Sequence, residues 1–440
     1  MKIENFKMSM LNMINMELDK KFQANEHTMR TILKTANISF LITGANRVQS
    51  MLLCELGDSY VQQSQRYVGM GADSYVLHPH FDSYVTEHGN AKELIHKSFH
   101  LYEKMTELKD PNKKGRLTAD DFVHGIPYED ARYILPLATT TNIAVTMSGD
   151  KLVDLYRLCF KYPIVFKDVT TKLNLYIGST LHAKLYGLAF SLNEDYKLIH
   201  SVYDPLLHMI NPGDIVSVDS INSDDNIAIG ALTSTNSCSG LEVYNSWDDK
   251  EAKTEGLINR VAFGYGHMGI LEQSRTTYGM SCSLSAYHQV IRHRLQNIYT
   301  EDLDMLIYDK YRDFYVPKTI ENSDFYDEYV DLVSEYKTFL FNNISSVNHE
   351  YYYPLFLNCF YIKFIVSSNA RNDTFIFRER LCLTAQEEIR NMYTKKYDSL
   401  VKISPTIFKN ALPPCVYGVC KEGKMSCGRS AELKEKYKKE

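Results

Sequence analysis

Arg292, His293 and Arg294 follow Gln289 in the segment AYHQVIRHRLQN and form the densest basic group of the chain. Two guanidinium forks and an imidazole at one spot suit a polyanion or the polar edge of a flavin. Arginines at i and i+2 point to different faces of a helix, so the spacing predicts a helix end or a loop. A second polar group lies in the first half, in SYVQQSQRYV (59–68). There Gln62, Gln63, Ser64 and Arg66 offer amide, hydroxyl and guanidinium donors, a set able to cradle a phosphate or a nucleotide. Taken alone, the first stretch also fits a charged surface turn and the second a polar loop.

The elements that would hold these residues are repeated. Ala131 to Asp150 reads ARYILPLATTTNIAVTMSGD, and adding 221 to each number gives YYPLFLNCFYIKFIVSSNAR, Tyr352 to Arg371. Both are apolar and strand-like, end in a small polar turn, and run into an amphipathic helix, with Leu152, Leu155 and Tyr156 in one copy and Phe375, Ile376 and Phe377 in the other. Shared pattern with little identity fits an old duplication. Residues 203–226 carry two prolines, a glycine and several Asp and Asn, and place a boundary near mid-chain. The expected domains are 1–212 and 213–440. Residues 1–35 are Met-rich and read as helical, with a stripe through Met10, Met13, Ile14 and Leu18; KDPNKKGRLTADD (109–121) reads as a surface loop.

Composition narrows the class. Among 440 residues, 49 Lys+Arg stand against 54 Asp+Glu, a net charge of −5, which argues against a nucleic-acid polymer or a membrane surface as partner. No run of eighteen apolar residues occurs, and the first residues form no clean apolar signal core. Nine scattered cysteines read as free thiols of a reducing cytoplasm. GYGHMG (264–269) matches a dinucleotide fingerprint, but Gln289 stands where an acidic residue is needed. Cys415, Cys420 and Cys427, with Cys382 or Cys359 as a fourth ligand, lack CxxC pairs, so a reduced tail without metal is expected. His78, His80 and Asp82 (HPHFD) read as a turn with exposed imidazoles.

In combination the two polar groups resemble the flavin-dependent thymidylate synthases, whose signature joins RHR to a later S-x-R-Y. Residues 292–294 supply RHR, and 64–67 supply SQRY. FLITGANR (40–47), DARYILP (130–136), SNAR (368–371), RERLC (378–382), AQEEIR (385–390) and PPCVYGVCKEGKMSCGR (413–429) resemble further segments of that family. The resemblance spans most of 36–429 and needs two copies of the domain. It implies an α+β fold with a mainly antiparallel sheet and packed helices in each copy; periodicity alone shows only mixed strands and helices.

The departures are complementary. The first copy has Cys54, Glu55 and Leu56 in place of RHR, Ser148, Gly149 and Asp150 in place of N-A-R, and Cys159 in place of a base-contacting arginine. The second has Asp302 and Asp304 in place of Ser and Arg of S-x-R-Y, and Tyr353 in place of the arginine matching Arg132. Two carboxylates about 4 Å apart repel by roughly 4 kcal/mol at an effective dielectric of 20, so they cannot hold a phosphate. The resemblance therefore implies FAD-dependent methylation of dUMP to dTMP, with methylenetetrahydrofolate as carbon donor and NADPH as reductant, at a composite site in a homodimer that mimics a tetramer. By the same resemblance Gln62, Gln63, Ser64, Arg66 and Arg132 hold the dUMP phosphate end. Gln289, Arg292 and Arg380 hold the reacting pyrimidine. His267, Arg292, His293, Arg294, Asn369 and Arg371 contact FAD. His267 lies in GHMGILEQ, where Gly269 and Gln273 replace the Ser and second His of the family's GHxSxxEH. That damage keeps open a related one-carbon transfer, methyl or hydroxymethyl, to another pyrimidine nucleotide. A noncatalytic nucleotide-binding homologue is the rival of another class.

Overall fold

The computed structural model describes residues 1–20, 25–113, 115, 117–191, 195–221, 223–309, 311–343, 348–423 and 426–438. Residues 114 and 116 of the expected 109–121 loop, 222 of the expected boundary and 424–425 of the tail lie outside the described residues. Spatial contacts divide the chain into two units, residues 1–198 with 302–360 and residues 199–301 with 361–440.

The first unit contains an antiparallel sheet of β1 (Lys2–Met8), β2 (Asn37–Asn46), β4 (Thr140–Ser148) and β3 (Ser59–Gln62), in the order β1-β2-β4-β3. Strict alternation makes β2 and β4 strands with one buried face: Ile38, Phe40 and Ile42 lie opposite Met147, Val145 and Ile143 and are buried, while Ser39, Asn142 and Thr146 on the other face are exposed. Between Ile42 and Ala45 the register slips by one residue, and Gly44 takes the positive φ of 65° that this bulge needs. The expected helix over 1–35 begins instead with β1, because Ile3 is buried and Phe6 stacks on Phe40. Among the described residues, which exclude 21–24 of this stretch, helix follows at Leu11–Asp19 and Glu26–Leu33, and Met10 and Met13 of the expected stripe are exposed.

The duplication is legible inside this unit. Leu137 N–H donates to the Phe356 carbonyl at 2.7 Å, and Asn358 N–H donates to the Leu135 carbonyl at 3.0 Å; each bond is the other with 221 added or subtracted. The pair Ala138 to Pro354 and Cys359 to Tyr133 repeats the relation. Helix His88–Met105 packs on helix Tyr326–Asn343, which is the same range plus 238, and the buried Ser98 hydroxyl donates to Tyr336 at 2.8 Å. Reciprocal contacts between equivalent positions are the mark of an isologous two-fold interface, here closed within one chain.

The second unit repeats the sheet as β5 (Ile215–Ile221), β6 (Arg275–Ser283), β8 (Tyr361–Asn369) and β7 (Asn297–Thr300), in the order β5-β6-β8-β7. Here both faces of the central strands are covered. Leu207 and Ile210 pack on Ile365, and Tyr203 stacks on Tyr299 at 3.7 Å. Gly279 makes room for them, since a Cβ there would stand 2.8 Å from Ile210. Much of 203–226 is thus helix end and strand, the turn lying at 211–214. No described helix is long and apolar enough to cross a membrane.

Candidate functional site

The site residues sit at the ends of strands and short helices and in the turns beyond them. After β3, residues 64–68 form a tight turn, with the Tyr67 and Val68 N–H groups donating to the Ser64 carbonyl. The Ser64 hydroxyl accepts from the Arg66 N–H at 3.2 Å. Arg66 donates to Glu129 through Nε at 2.7 Å and Nη2 at 2.6 Å. Arg132, buried at the end of the short helix Tyr128–Ala131, donates from Nε to the Glu129 carbonyl at 3.3 Å. Glu129 therefore brings together two arginines 66 positions apart, next to the Ser64 turn. The Gln62 side-chain carbonyl accepts from Arg47 and Ser50, and the Gln63 side-chain carbonyl accepts from Asn142 at 3.4 Å. Gln65 is buried with neither amide atom paired among the described residues, a costly state for a primary amide.

At the equivalent place in the second copy, Tyr353 donates to Asp304 at 2.6 Å and His349 stands 3.4 Å from the other Asp304 oxygen. Asp302 pairs with Lys161 at 3.4 Å, and Glu350 accepts from the Ile164 and Val165 N–H groups at 3.0 Å. Burial, and then the bond to Asp304, push the Tyr353 phenol up. This position is filled by its own side chains, and those side chains meet residues of the other copy.

In the second unit, helix Leu284–Val290 starts at a Ser283 cap and ends just before Arg292, so RHR lies in the turn beyond it, as the spacing predicted. Helix Ala370–Arg380 is capped by Asn369, whose carbonyl accepts from the Asn372 N–H at 2.9 Å. That helix lies along the RHR turn. Asn372 donates to the Leu295 carbonyl at 3.0 Å near one end, and Arg380 donates from Nε to His293 Nε2 at 2.7 Å at the other. Arg380 also reaches the Gln289 carbonyl at 3.3 Å, and the buried Gln289 amide donates to Gln386. Burial, then Arg380, Lys396 and Arg292, push the His293 imidazole down to about 3. The ring is neutral at ordinary pH, accepts at Nε2, and carries its proton on Nδ1. Arg371 pairs with Glu272 at 2.6 Å, in the segment Met268–Gln273 that packs beside this helix, and His267 precedes that segment on the surface. Arg292 and Arg294 are exposed at the turn.

The arrangement thus joins Gln289, His293 and Arg380 directly, and reaches Asn369 and Arg371 through Asn372. Reading the sequence missed Glu129, Gln386 and Gln65. Glu129 stands three residues before Arg132, but nothing local ties it to Arg66. The expected exposed imidazoles of HPHFD are corrected in part: His80 is exposed, whereas His78 Nε2 is buried without a partner among the described residues, and burial lowers that imidazole's pKa. The GYGHMG stretch, as expected, is no dinucleotide turn: irregular helix precedes it, not a strand.

The model of the family described as thymidylate synthase complementing protein matches residues 11–162 and again 218–406. A flavin-dependent thymidylate synthase of Geobacter sulfurreducens is 30% identical over 183 residues, covering 39% of this chain and 76% of its own. The chain belongs to the flavin-dependent thymidylate synthase family. Its enzyme of the same name in Clostridium tetani is 28% identical over 211 residues, covering 43% of this chain and 83% of its own, as expected where one relative matches one copy. A solved family member from Helicobacter pylori, complexed with FAD and dUMP, covers 45% of this chain at a TM-score of 0.36 and 17% identity, a likeness too slight to argue from. The chain is a two-copy form of that family, with an α+β domain in each copy.

Proposed function

We propose that the chain methylates dUMP to dTMP at composite sites whose phosphate contacts come from the first copy and whose base and flavin contacts come from the second. The observation that carries this reading is the pairing of gain and loss. Arg66 and Arg132 converge on Glu129, where the second copy has Asp304 and Tyr353; Arg380 reaches both His293 and the Gln289 carbonyl, where the first copy has Cys159 in place of Arg380 and Glu55 in place of His293. The vestigial phosphate position, already shared between copies through Asp302 and Lys161, supports the sharing of the retained one.

Ser64, Arg66 and Arg132 would bind the phosphate by charge-assisted hydrogen bonds. Glu129 holds both arginines in place and would exchange part of its contact with Arg66 for the ligand. Arg380 is aimed by the neutral His293, and with Gln289 and Arg292 would polarise the pyrimidine. Arg292, Arg294 and Arg371 supply cationic donors, and Asn369 keeps its amide N–H groups available beyond the cap, a donor set that fits the diphosphate and ring edge of FAD. FAD would supply the hydride, with NADPH as its reductant and methylenetetrahydrofolate as the carbon source; the chain's own work is binding, orientation and electrostatics. Gly269 and Gln273 in the segment after His267 favour, as second reading, one-carbon transfer to another pyrimidine nucleotide.

The test is the flavin spectrum of purified protein before and after dUMP, followed by turnover. Flavin bands that shift with dUMP, lost in Arg66→Ala and Arg292→Ala separately, support the composite site. If neither variant alters nucleotide binding or turnover, the reading fails. Mixing the two variants reports where sites form: recovered activity means that each site draws its halves from different chains.

A further inference from the structure

Helix Leu284–Val290, which carries Gln289 and runs into the Arg292–Arg294 turn, is capped incompletely by its own sequence. The Ser283 hydroxyl accepts from the Ala286 N–H at 3.0 Å. A full capping box would need a carboxylate or amide side chain at position 286 to take the Ser283 N–H in return, and Ala286 has neither. Glu388 supplies it from another helix. One Glu388 oxygen accepts from the Ser283 N–H and the other from the Ser283 hydroxyl, each at 2.6 Å. Donor and acceptor roles of the hydroxyl are thus both fixed, and Ser283, Ala286 and Glu388 are all buried. A carboxylate held by two such donors makes strong bonds, and losing either donor leaves buried charge unmatched.

The helix that bears Glu388, Glu387–Ile403, braces both elements of the pyrimidine position. Just before its first turn, Gln386 accepts from the Gln289 amide, at the opposite end of helix Leu284–Val290 from Ser283. Farther along, Lys396 donates to Asp373 at 2.8 Å, on the helix that ends at Arg380. Arg390 donates to the Leu383 and Ala385 carbonyls at 3.3 and 2.9 Å, which pins the turn between Arg380 and this helix. The first copy is built otherwise. Its corresponding helix, Arg47–Cys54, closes the box locally: the Asn46 side chain accepts from the Gln49 N–H at 3.0 Å, and the Gln49 side chain accepts from the Asn46 N–H at 3.1 Å. That helix leads into Cys54, Glu55 and Leu56, where the second copy has Arg292, His293 and Arg294. The copy that keeps the RHR turn is the one whose helix is tied to a distant carboxylate.

We propose that Glu388 is a positioning residue for the pyrimidine: through Ser283 it fixes the start of helix Leu284–Val290 and, with Gln386 at the other end, sets Gln289 and Arg292 against Arg380. It acts through Ser283 rather than by touching a ligand. A local box fixes the end of a helix but not its place against a neighbour; a carboxylate on the neighbouring helix does both. The inference rests on the reading that Gln289, Arg292 and Arg380 hold the pyrimidine, and it deepens that reading by naming what holds them in register.

The test uses the full chain loaded with FAD. Glu388→Gln keeps the shape but puts an amide N–H₂ where the Ser283 hydroxyl donates. Its kcat should fall about tenfold or more, while the KM for dUMP, carried by Arg66 and Arg132, changes less than about threefold. Ser283→Ala should match it, and Ser283→Thr, which keeps the hydroxyl, should stay near wild type. The double variant Ser283→Ala, Glu388→Gln should be no worse than the poorer single one, since both break the same link. Ser399→Ala, which removes a hydroxyl paired with Tyr278 at 2.8 Å on the same helix, should lower stability and leave kcat unchanged. Apart from turnover, backbone hydrogen exchange over 284–294 should quicken about tenfold or more in Glu388→Gln, with 391–403 unchanged. If Glu388→Gln does not fold, Ser283→Ala bears the same kcat and exchange expectations. Unaltered kcat, or exchange quickened equally in both segments, would overturn the proposal. Wild-type flavin bands that ignore dUMP would overturn the reading of the site and the proposal with it; a responsive wild type beside an unimpaired Glu388→Gln would overturn the proposal alone.

Discussion

Around Glu129 the first copy gathers two guanidinium groups and a serine turn; around Glu350 the second gathers Asp304, His349 and Tyr353. The two places are related by the internal two-fold, with a glutamate at the equivalent position of a short helical turn in each. One keeps two guanidinium groups, a half-buried Arg66 and a buried Arg132. The other closes on itself, because a phenol–carboxylate bond and a lysine–aspartate pair satisfy the groups that a phosphate would otherwise meet. The reverse holds for the flavin half. In the second copy Asn369 caps its helix and Arg380 reaches His293, while in the first Asp150 makes no side-chain cap and burial pushes the Cys159 thiol up to about 12. On the proposed reading, duplication frees each copy from half of its task, and the halves given up do not overlap.

The comparison can be broken or sharpened by substitution, beginning with the largest effect. Lys396 and Asp373, almost wholly buried, pair at 2.8 Å beneath the second copy's flavin helix, where the first copy has Leu152 in place of Asp373. Lys396→Met should cost about 3–5 kcal/mol in denaturant unfolding, because it leaves a buried carboxylate without its partner. The double variant Asp373→Leu, Lys396→Met, which copies the apolar solution of the first copy, should be less damaging than the single one. Arg66→Ala should weaken dUMP binding by about 2 kcal/mol, roughly thirtyfold, through loss of charged hydrogen bonds. Asp304→Ala should leave that affinity unchanged in the same titration; equal losses would erase the distinction between the two phosphate positions. Asn369→Ala should cost about 1 kcal/mol of stability as a lost cap, and Asp150→Ala far less.

The smallest effect at neutral pH concerns His293, whose counterpart region in the first copy is Cys54–Glu55–Leu56. Its folded pKa lies near 3, below the unfolded value near 6.5, so the unfolded chain binds the proton first as pH falls. The stability contributed by the neutral ring is complete above about pH 6.5 and is lost as pH falls toward 3. His293→Asn should therefore flatten the acid side of the stability profile below pH 6.5 and leave no new inflection between pH 7 and 8. An unaltered acid slope would mean that His293 is not held neutral by burial and by Arg380.

Both the sheets and the site were partly readable. Alternation in Ile38–Ile42 and Ile143–Met147 marks half-buried strands, and RHR at a helix end followed from the two-residue spacing. The strand at Lys2–Met8 was hidden by the Met-rich stretch beyond it, since Ile3 and Phe6 are too few to reveal a period. Gln62 and Gln63 stand out because an amide beside Ser64 and Arg66 is chemically apt; that Arg47, Ser50 and Asn142 engage their carbonyls is a matter of strand pairing.

The sequence by itself determined the duplication, the residue types of each half and the complementary losses, because these depend only on identity and order along the chain. Only the tertiary structure decided that Glu129 pairs with Arg66, that His293 accepts from Arg380, and that 302–360 belongs with the first unit. Each is a contact between segments tens or hundreds of residues apart. Such contacts are chosen by burial and hydrogen-bond satisfaction over the whole unit, and no local period or motif encodes them.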